Sequence, residues 1–429
     1  MNVTCYPSVL SGTVAAIPSK SDLHRKLICA ALSENGGALP LREPYCDDIA
    51  ATVRCLQALG AEFQQTTDRI LITPIKQQPH ADMDCGESGS TLRFLLPVAM
   101  AVCGDIAVTG HGRLPERPIG TLTDAMSAYG VHFDETHLPL HANGNLRGGV
   151  YEIEGNVSSQ FLSGLLMALP LCREDSEIRL TTALQSAAYV DLTLRVLREF
   201  GAEIYVSTKD SRLFYHIRGK QRLHMPEGLS VDGDWSNAAF WLTAGAVQQA
   251  ENAAVCVTGL DTASTQGDRA ILRILRESGA AVQENAAGLS ATKGQNRCIT
   301  EAMDAIPDLL PILAVKAAVS EGNSEFVKAE RLRLKESDRL QSTAQMLRDL
   351  GGKADERADG LTVYGGQLRG GTVNAQNDHR LVMAAAIAAL CCREPVTIIG
   401  AEAVNKSYPQ FFDDYIALGG KITIPEGGV

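Results

Sequence analysis

An amphipathic helical pattern recurs six times along the chain and ends each time in a glycine. These glycines are Gly60, Gly130, Gly201, Gly279, Gly351 and Gly419. They follow one another at intervals of 70, 71, 78, 72 and 68 residues, which indicates one supersecondary unit repeated six times. Each glycine stands where a helix end favours the left-handed conformation, and a short β-type run follows, such as Arg69–Thr73. The pattern predicts a repeated unit of helix, strand, turn and strand.

A second series of helices lies half a period out of step with the first and is apolar on nearly all sides. These helices are predicted to begin near Ser21, Gly89, Ser159, Trp235, Pro307 and His379. Helices without a polar face are buried, so the second series should form the core beneath the amphipathic helices and the sheets. Polar and charged residues are confined to their N-terminal ends, where we expect the functional residues.

The chain has 429 residues, which is more than one hydrophobic core usually serves. Six units divide into two domains of three. We predict one domain from residues 1–18 and 232–429 and the other from residues 19–231. The first strand, within residues 1–11, has no partner nearby, so we expect it to pair in the C-terminal half. The chain would then cross between the domains twice.

The net charge of −11 and the sequence pI of about 5.4 argue against nucleic acid or an anionic membrane as the main partner. No signal peptide is recognised at the N-terminus, and the longest apolar run, near residues 381–392, is too short to span a bilayer. We expect a cytoplasmic protein. The eleven cysteines contain no CxxC pair and are predicted to be reduced core residues. We interpret His137 and His141 as structural and expect no metal site.

The openings of the first two core helices are candidate anion sites. Lys20, Ser21 and Arg25 enter the first helix, where unsatisfied N–H groups and the positive end of the helix dipole favour an anion. Two glycines and three hydroxyl residues within residues 85–93 open the second, and Gly89 would let a ligand approach the backbone. Ordinary capped helices with solvated charges are the alternative for both.

Arg117 precedes a proline, which favours extended backbone at that residue. An arginine fixed at the end of a loop suits bidentate capture of a carboxylate or a phosphate. It is equally compatible with a surface residue. The hydroxyl groups of Ser158 and Ser159 resemble the earlier helix openings and could cap a helix, bind a phosphate, or do both.

Residues 331–339 carry the strongest local signal. Arg331, Arg333 and Lys335 alternate with leucines, which predicts a strand with one basic and one buried face. A helix then begins at residues 337–338 and gathers Lys335, Glu336 and Arg339 around its N-terminus. A carboxylate among cations can exchange protons; a solvated run of charges is the alternative. Further candidates at loop-to-helix boundaries of the C-terminal half are Asp308, Arg380 and Lys406.

Repetition copies orientation as well as fold, so the core helices of each domain should direct their N-termini the same way. Two such domains facing each other would bring these positive ends into one cleft. The cations expected there are Lys20, Arg25, Arg93, Arg117, Lys335, Arg339, Arg380 and Lys406. Such a cleft suits a ligand with several anionic groups, and its closure would expel water and strengthen the contacts.

The content and order of these motifs resemble the EPSP synthases, the 3-phosphoshikimate 1-carboxyvinyltransferases. The motifs are residues 18–25, 86–90, 116–118, 158–161, 307–308, 335–339, 378–380 and 405–409. The resemblance implies an α/β (α+β) fold of two domains, each an inside-out α/β barrel of three βαβαββ units, with the active site in the cleft between them. It also implies no metal or organic cofactor. We expect a monomer, and the net charge already argues against a nucleic-acid or membrane partner.

The same resemblance implies transfer of the enolpyruvyl group of phosphoenolpyruvate to the 5-hydroxyl of shikimate 3-phosphate, with release of phosphate, in aromatic amino-acid biosynthesis. Asp308 would accept the hydroxyl proton, and Glu336 or Lys20 would deliver a proton to the methylene carbon and later remove it. Contacts to shikimate 3-phosphate would come from Ser21, Arg25, Ser158, Ser159, Gln160, Ser186, Tyr189, Asp308 and Lys335. Contacts to phosphoenolpyruvate would come from Lys20, Gly89, Arg117, Gln160, Lys335, Glu336, Arg339, Arg380 and Lys406.

Three positions depart from the family pattern: Glu87, where members more often have asparagine; Arg331, where some members have asparagine; and Ser90, in place of the usual threonine. Glu87 would repel an incoming phosphate unless it were protonated or turned toward Arg93, so neither Glu87 nor Arg331 is assigned to the site. The unbranched Gly89 leaves room for glyphosate, the inhibitor that occupies the phosphoenolpyruvate site in this family.

Two alternative functions stay open. The sister enolpyruvyl transferase that acts on UDP-N-acetylglucosamine shares the repeats and the chemistry, but its loop cysteine should fall near residues 113–118, and this sequence has none there. A non-catalytic sensor of phosphate ligands, or a protein that binds RNA ends, would bind phosphoanions without turnover.

Overall fold

The computed structural model describes residues 1–41, 45–210, 212–250 and 253–424. It divides into two compact units: the first contains Met1–Ser19 and Asp232–Val429, and the second contains Lys20–Val231. The α-helices are α1 (Lys20–Leu32), α2 (Asp47–Ala58), α3 (Gly89–Val102), α4 (Gly120–Ser127), α5 (Ser159–Ala168), α6 (Ala187–Glu199), α7 (Trp235–Val247), α8 (Ile271–Glu277), α9 (Leu310–Ala318), α10 (Arg339–Asp349), α11 (His379–Ala388) and α12 (Phe411–Ala417).

The strands are short and spread evenly along the chain. They are β1 (Asn2–Tyr6), β2 (Gly12–Ala15), β3 (Gly37–Pro40), β4 (Glu62–Gln65), β5 (Arg69–Thr73), β6 (Ala81–Asp84), β7 (Asp105–Thr109), β8 (Val131–Phe133), β9 (Leu140–Gly144), β10 (Val150–Ile153), β11 (Ser176–Leu180), β12 (Ile204–Lys209), β13 (Arg212–Ile217), β14 (Val255–Thr258), β15 (Ala281–Asn285), β16 (Gly288–Thr292), β17 (Thr300–Ala302), β18 (Asn323–Val327), β19 (Lys353–Arg357), β20 (Gly360–Tyr364), β21 (Gly371–Asn374), β22 (Val396–Ile399) and β23 (Lys421–Thr423).

The described strands form six separate sheets, and none of these sheets closes into a barrel. Their orders are β3-β5-β4, β6-β7-β9-β8, β10-β11-β13-β12, β15-β16-β14-β2, β17-β18-β20-β19 and β21-β22-β1-β23. Each four-stranded sheet joins a parallel pair to two antiparallel neighbours, as β6 and β7 are joined to β9 and β8. A core helix follows the first strand of the parallel pair, and an amphipathic helix precedes the hairpin. The α+β fold with a repeated βαβαββ unit is therefore confirmed.

Distant segments of the chain complete three of the sheets. Strand β1 pairs antiparallel with β22 and β23, and β2 pairs parallel with β14, so the N-terminal strands lie in sheets of the C-terminal half. Beside β3, Ser33 forms a parallel bridge with Leu223. Asn35 exchanges two hydrogen bonds with Met225, of 3.0 and 2.8 Å. The repeat is thus completed in space even where it is interrupted along the sequence.

The predicted helix starts are confirmed. Core helices begin at Lys20, Gly89, Ser159, Trp235 and His379, while the fifth begins at Leu310 after a 3₁₀ turn over Pro307–Leu309. Each unit has its own hydrophobic core. The six repeat glycines all have φ between +81° and +103°, where a side chain would be strained. None of the described helices combines the length and the hydropathy needed for a membrane span.

The predicted strand at residues 331–335 is wrong. Glu330–Leu334 is a 3₁₀ helix, in which Leu332 is buried but Leu334 is exposed. Strand β18, which precedes this segment, is already flanked by β17 and β20, so a further strand could not pair with it. Arg333 instead donates hydrogen bonds to Asp338 at 2.8 Å and to Glu356 at 2.7 Å. The helix start is confirmed, because Asp338 caps α10.

Candidate functional site

Arg25 is buried between helices α1, α5 and α6 of the unit Lys20–Val231. Its Nε donates to Thr193 Oγ1 at 2.7 Å, and its Nη atoms donate to the carbonyl oxygens of Ser21 at 2.6 Å and Tyr189 at 3.0 Å. Burial lowers the pKa of the guanidinium to about 10, so its charge is retained at neutral pH. These contacts bring three predicted site residues, Ser21, Arg25 and Tyr189, to one place.

The hydroxyl-rich openings of α3 and α5 lie side by side. Gln160 Nε2 donates to Ser90 Oγ at 2.9 Å, and Arg93 Nη1 donates to Gln160 Oε1 at 2.9 Å. Ser158 caps α5 by accepting from the Gln160 N–H at 3.3 Å, and the buried Ser159 is its first residue. Two positive helix ends therefore meet beside a guanidinium, an arrangement that attracts anions.

Arg117 lies directly against the first residue of α3. A Cβ placed on Gly89 would come within 2.6 Å of Arg117 Nη1 and 2.8 Å of Cζ. The Arg117 backbone is extended, with φ −78° and ψ 128°, at the end of the 3₁₀ turn Leu114–Glu116, as its position before a proline predicted. Because Gly89 has no side chain, the Arg117 guanidinium can reach the N-terminal turn of α3.

Lys20 is held by a carboxylate that the sequence did not single out. Its Nζ donates to Asp48 Oδ2 at 2.6 Å, and the backbone carbonyl of Asp48 accepts from Thr91 Oγ1 at 3.3 Å. The Lys20 ammonium is thereby connected to the opening of α3. Asp48 lies in the first turn of α2, where an acidic residue is commonplace, so the sequence carried no distinctive signal for it.

Ser186 has an unusual backbone conformation. It precedes α6 with φ 54° and ψ 43°, the left-handed region, and it is buried. Residues other than glycine seldom adopt this conformation, and when they do they cluster at functional sites. Its carbonyl accepts from the Tyr189 N–H at 3.1 Å, so Ser186 lies one helical turn from the Arg25 contacts.

Glu87 is the acidic residue that departs from the family pattern near the opening of α3. Its carboxylate packs against the Cα of Gly112, where a Cβ would collide with it. Arg93 donates to Gln160 at 2.9 Å and to the Pro118 carbonyl at 3.3 Å. Glu87 therefore lies against the loop that leads to Arg117.

A network of ion pairs converges on Arg339 in the unit that contains Asp232–Val429. Only 1% of its side chain is exposed. Its Nη1 donates to Asp308 at 2.6 Å, its Nη2 to Glu336 at 2.6 Å and its Nε to Asp378 at 2.8 Å. Burial disfavours the charged guanidinium, but the three carboxylates outweigh burial and raise the pKa of Arg339 well above its ordinary value. One buried cation thereby fixes three acidic side chains.

Two further cationic side chains lie beside the Asp308 carboxylate. Arg380 Nη2 lies 3.0 Å from Asp308 Oδ2, and Lys335 Nζ lies 3.6 Å from Oδ1. Burial alone would raise the pKa of this carboxyl, but Arg380, Lys335 and Arg339 hold the pKa well below its ordinary value. Burial also lowers the pKa of Lys335 to about 8, against the opposing effect of Asp308. Asp308 is therefore ionised at neutral pH.

Two more residues lie at the openings of core helices, Lys406 at α11 and Asp268 at α7. Lys406 ends a 3₁₀ helix and donates to the Asn377 carbonyl at 2.7 Å, so it lies beside the loop that leads to Arg380. Asp268 accepts from Ser236 Oγ. Burial, and then the charge of Asp308, raise its pKa to about 6.

Asp378 and Asp268 are residues that the sequence analysis did not assign to the site. Asp378 is completely buried; it accepts from Arg339 and caps α11 through the Arg380 N–H at 3.0 Å. Its place directly before His379 and Arg380 was a usable signal, because aspartate is a preferred residue before a helix. Asp268 lies in the 3₁₀ segment Gly267–Ala270, and nothing in the local sequence marks it as buried.

The chain matches the family described as EPSP synthase (3-phosphoshikimate 1-carboxyvinyltransferase) over residues 6–415. It is 41% identical over 429 residues to the 3-phosphoshikimate 1-carboxyvinyltransferase of Clostridium acetobutylicum, with 98% of each chain covered. It is 39% identical over 425 residues to the enzyme of the same name from Clostridium kluyveri, again with 98% of each covered.

Solved structures share the fold at lower identity. An EPSP synthase from Acinetobacter baumannii superimposes with a TM-score of 0.79 at 24% identity, over 99% of this chain and 100% of that one. The enolpyruvyl transferase NikO from Streptomyces tendae gives a TM-score of 0.78 at 18% identity, over 98% of each chain. At these identities the likeness concerns the fold.

Proposed function

The chain belongs to the EPSP synthase family, and on that basis we propose that it transfers the enolpyruvyl group of phosphoenolpyruvate to the 5-hydroxyl of shikimate 3-phosphate. The bond from the hydroxyl oxygen to C2 of phosphoenolpyruvate forms, the bond from C2 to the phosphate oxygen breaks, and inorganic phosphate leaves. The observation that carries this proposal is the position of the Asp308 carboxylate, which lies among Arg339, Arg380 and Lys335.

Asp308 is the proposed acceptor of the hydroxyl proton. Its three cationic neighbours keep it ionised, and a carboxylate must be ionised to accept a proton. Glu336 or Lys20 is the proposed group that delivers a proton to the methylene carbon during addition and takes one from it when phosphate leaves. Proton transfers of this kind contribute about 10²- to 10⁴-fold to a rate, so orientation and charge stabilisation must supply the rest.

Arg339 is a positioning residue in this proposal. Three of its nitrogen atoms already donate to Asp378, Asp308 and Glu336, so its charge is committed to the protein's own carboxylates. We propose that it acts on the substrates through Asp308 and Glu336, which it holds in place. Direct contact with phosphoenolpyruvate then falls to Lys335, Arg380 and Lys406 in the same unit.

The substrates together carry two phosphates and two carboxylates, and the proposed contacts to them come from residues of both units. Lys20, Arg117 and the opening of α3 belong to one unit, and Asp308 and Lys335 belong to the other. We propose that both groups bind the same pair of substrates. Loss of turnover from substitutions in either unit would support this proposal.

Gly89→Ala will raise the KM for phosphoenolpyruvate about tenfold, the equivalent of one weakened charge-assisted contact. The new Cβ would displace the Arg117 guanidinium, which lies 2.6 Å from its position. Because the displaced group is the end of a flexible side chain, the melting temperature should hardly change. Steady-state kinetics and thermal unfolding measure both quantities.

Gly120→Ala is the matched control for this change. Gly120 also begins a helix, and a Cβ there meets no atom within 4 Å. It should leave the KM within twofold of the wild type. An unchanged KM in Gly89→Ala would contradict the proposed role of Arg117.

The value of kcat/KM for phosphoenolpyruvate will decline above about pH 8. The pKa of Lys335 is lowered to about 8, so the free enzyme loses this cation as the pH rises through that value, and kcat/KM reports the free enzyme. Lys335→Arg should retain a flat profile there, because a guanidinium stays charged. The exposed Lys328, 64% accessible, supplies the control: Lys328→Arg should keep the wild-type decline. An identical decline in Lys335→Arg would show that deprotonation of Lys335 does not cause the decline.

The decisive experiment measures phosphate release from phosphoenolpyruvate with and without shikimate 3-phosphate. Release that requires both compounds supports the proposal. Release with UDP-N-acetylglucosamine instead would favour the sister transferase, and tight binding without release would favour a phosphoanion sensor.

We also propose that the reaction takes place in the cytoplasm. All eleven cysteines lie in the described part of the chain as free thiols, which fits a reducing compartment.

A further inference from the structure

Two histidines and an aspartate meet on one face of the sheet β6-β7-β9-β8. His80 directly precedes β6, Asp105 begins β7, and His141 lies in β9. The strand registers place His80 level with Asp105, and Asp105 opposite Asn143, two residues from His141. The intervening residues of these strands are buried. Because side chains alternate across a strand, the three polar groups point to the face opposite the core.

Their geometry approaches that of a metal site. One ligand atom from each of the three residues lies within 4.8 Å of the other two. The two oxygens of Asp105 face different imidazoles: Oδ1 contacts His80 Nδ1, and Oδ2 lies 3.5 Å from His141 Nε2. Ligand atoms around a tetrahedral zinc ion are roughly 3.4 Å apart. The most widely separated ligand atoms would have to approach each other by about 1 Å to reach this spacing. The three side chains are 40–42% exposed, so rotation about their side-chain bonds can bring them together.

A fourth residue completes the arrangement. Asp82 Oδ1 lies 3.2 Å from His80 Nε2, the ring nitrogen that faces away from Asp105. Histidines that bind metals almost always donate their second ring N–H to a carboxylate, a carbonyl or a water, which fixes the ring and the tautomer. The carboxylate expected behind a ligating histidine is therefore in place.

We propose that His80, Asp105 and His141 bind one divalent transition-metal ion, Zn²⁺ in particular, with Asp82 as the positioning residue for His80. Two imidazoles and a carboxylate form a donor set that suits zinc, and a water would fill the fourth position. The ion would tie β6, β7 and β9 together and stabilise the folded unit. The four residues take no part in the transferase chemistry, so this inference is independent of the proposed function.

The test uses the full-length protein without a histidine tag, stripped of metal and titrated with Zn²⁺ against a chromogenic chelator. The wild type should bind one ion per chain. His141→Ala should weaken binding about a hundredfold or more, and Asp82→Asn about tenfold, the scale of changes behind a ligating histidine. Zn²⁺ should raise the melting temperature of the wild type but not of His141→Ala, because only the folded site binds it.

The control is His137→Ala, since His137 is an exposed histidine near His141 that pairs with Glu135; its zinc affinity should equal that of the wild type. Co²⁺ serves as a spectroscopic probe, because a thiolate-to-cobalt absorption band would show that a cysteine is a ligand. Such a band, the absence of one saturable site in the wild type, or wild-type affinity in His80→Ala and His141→Ala would each overturn the assignment.

Discussion

Asp308→Asn will lower kcat by about three orders of magnitude, within the range that general-base groups contribute. The amide has the shape of the carboxylate but cannot accept the hydroxyl proton. The three cations around Asp308 remain, so phosphoenolpyruvate should bind as well as in the wild type or better. A fall in kcat without a rise in KM therefore distinguishes loss of the base from loss of binding. Single-turnover kinetics and calorimetric titration measure the two effects separately.

Asp304→Asn is the matched control, because Asp304 lies four residues before Asp308 and pairs with the exposed Lys328 at 3.8 Å. Its kcat should stay within twofold of the wild type. Circular dichroism would establish that Asp308→Asn is folded. If the folded variant kept kcat within tenfold of the wild type, Asp308 would be excluded as the proton acceptor.

Arg339→Met will reduce the free energy of unfolding by about 3–5 kcal/mol, the usual cost of removing one partner of a buried ion pair. The side chain is 1% exposed and is the common donor to Asp308, Glu336 and Asp378. Without it, Asp378, which is completely buried, loses the cation with which it pairs at 2.8 Å. Turnover should fall with stability, since Asp308 and Glu336 lose the group that positions them. Urea unfolding followed by fluorescence measures the change.

The sign of the pH dependence supplies a second check on Arg339. In the wild type the pKa of Asp308 is held well below its ordinary value, so Asp308 contributes stability above the unfolded pKa and loses it as the pH falls through the folded one. The deficit of Arg339→Met should therefore be largest near neutral pH and shrink in acid, where Asp308 takes up a proton.

Arg348→Met, on the same helix, serves as the comparison for this variant. Arg348 is exposed and donates to the Ala354 carbonyl at 3.1 and 2.8 Å, so its loss should cost no more than about 1.5 kcal/mol. Equal deficits for the two variants would show that the network around Arg339 has no special role in stability.

Local properties of the sequence determined the repeated architecture. A helix end that needs positive φ favours glycine whatever surrounds it, so the six glycines marked the six units before any contact was known. Apolar residues on all sides of a helix require burial in any fold, so the starts at Gly89, Ser159 and His379 were readable too. Lys20 was identified as a candidate because helix N-termini carry positive potential, and Asp308 and Arg380 because they lie at loop-to-helix boundaries.

Tertiary structure alone decided the partners of these residues. Arg339 reaches Asp308 and Asp378 across 31 and 39 positions of the chain, and His80 meets His141 only through the registers of β6, β7 and β9. The alternation at residues 331–335 predicted a strand, and this was wrong because both edges of β18 already pair with β17 and β20. Side-chain pairing between distant segments depends on strand register and helix packing, which a local pattern does not contain. The sequence thus indicated where charge would gather, and packing determined which charges meet.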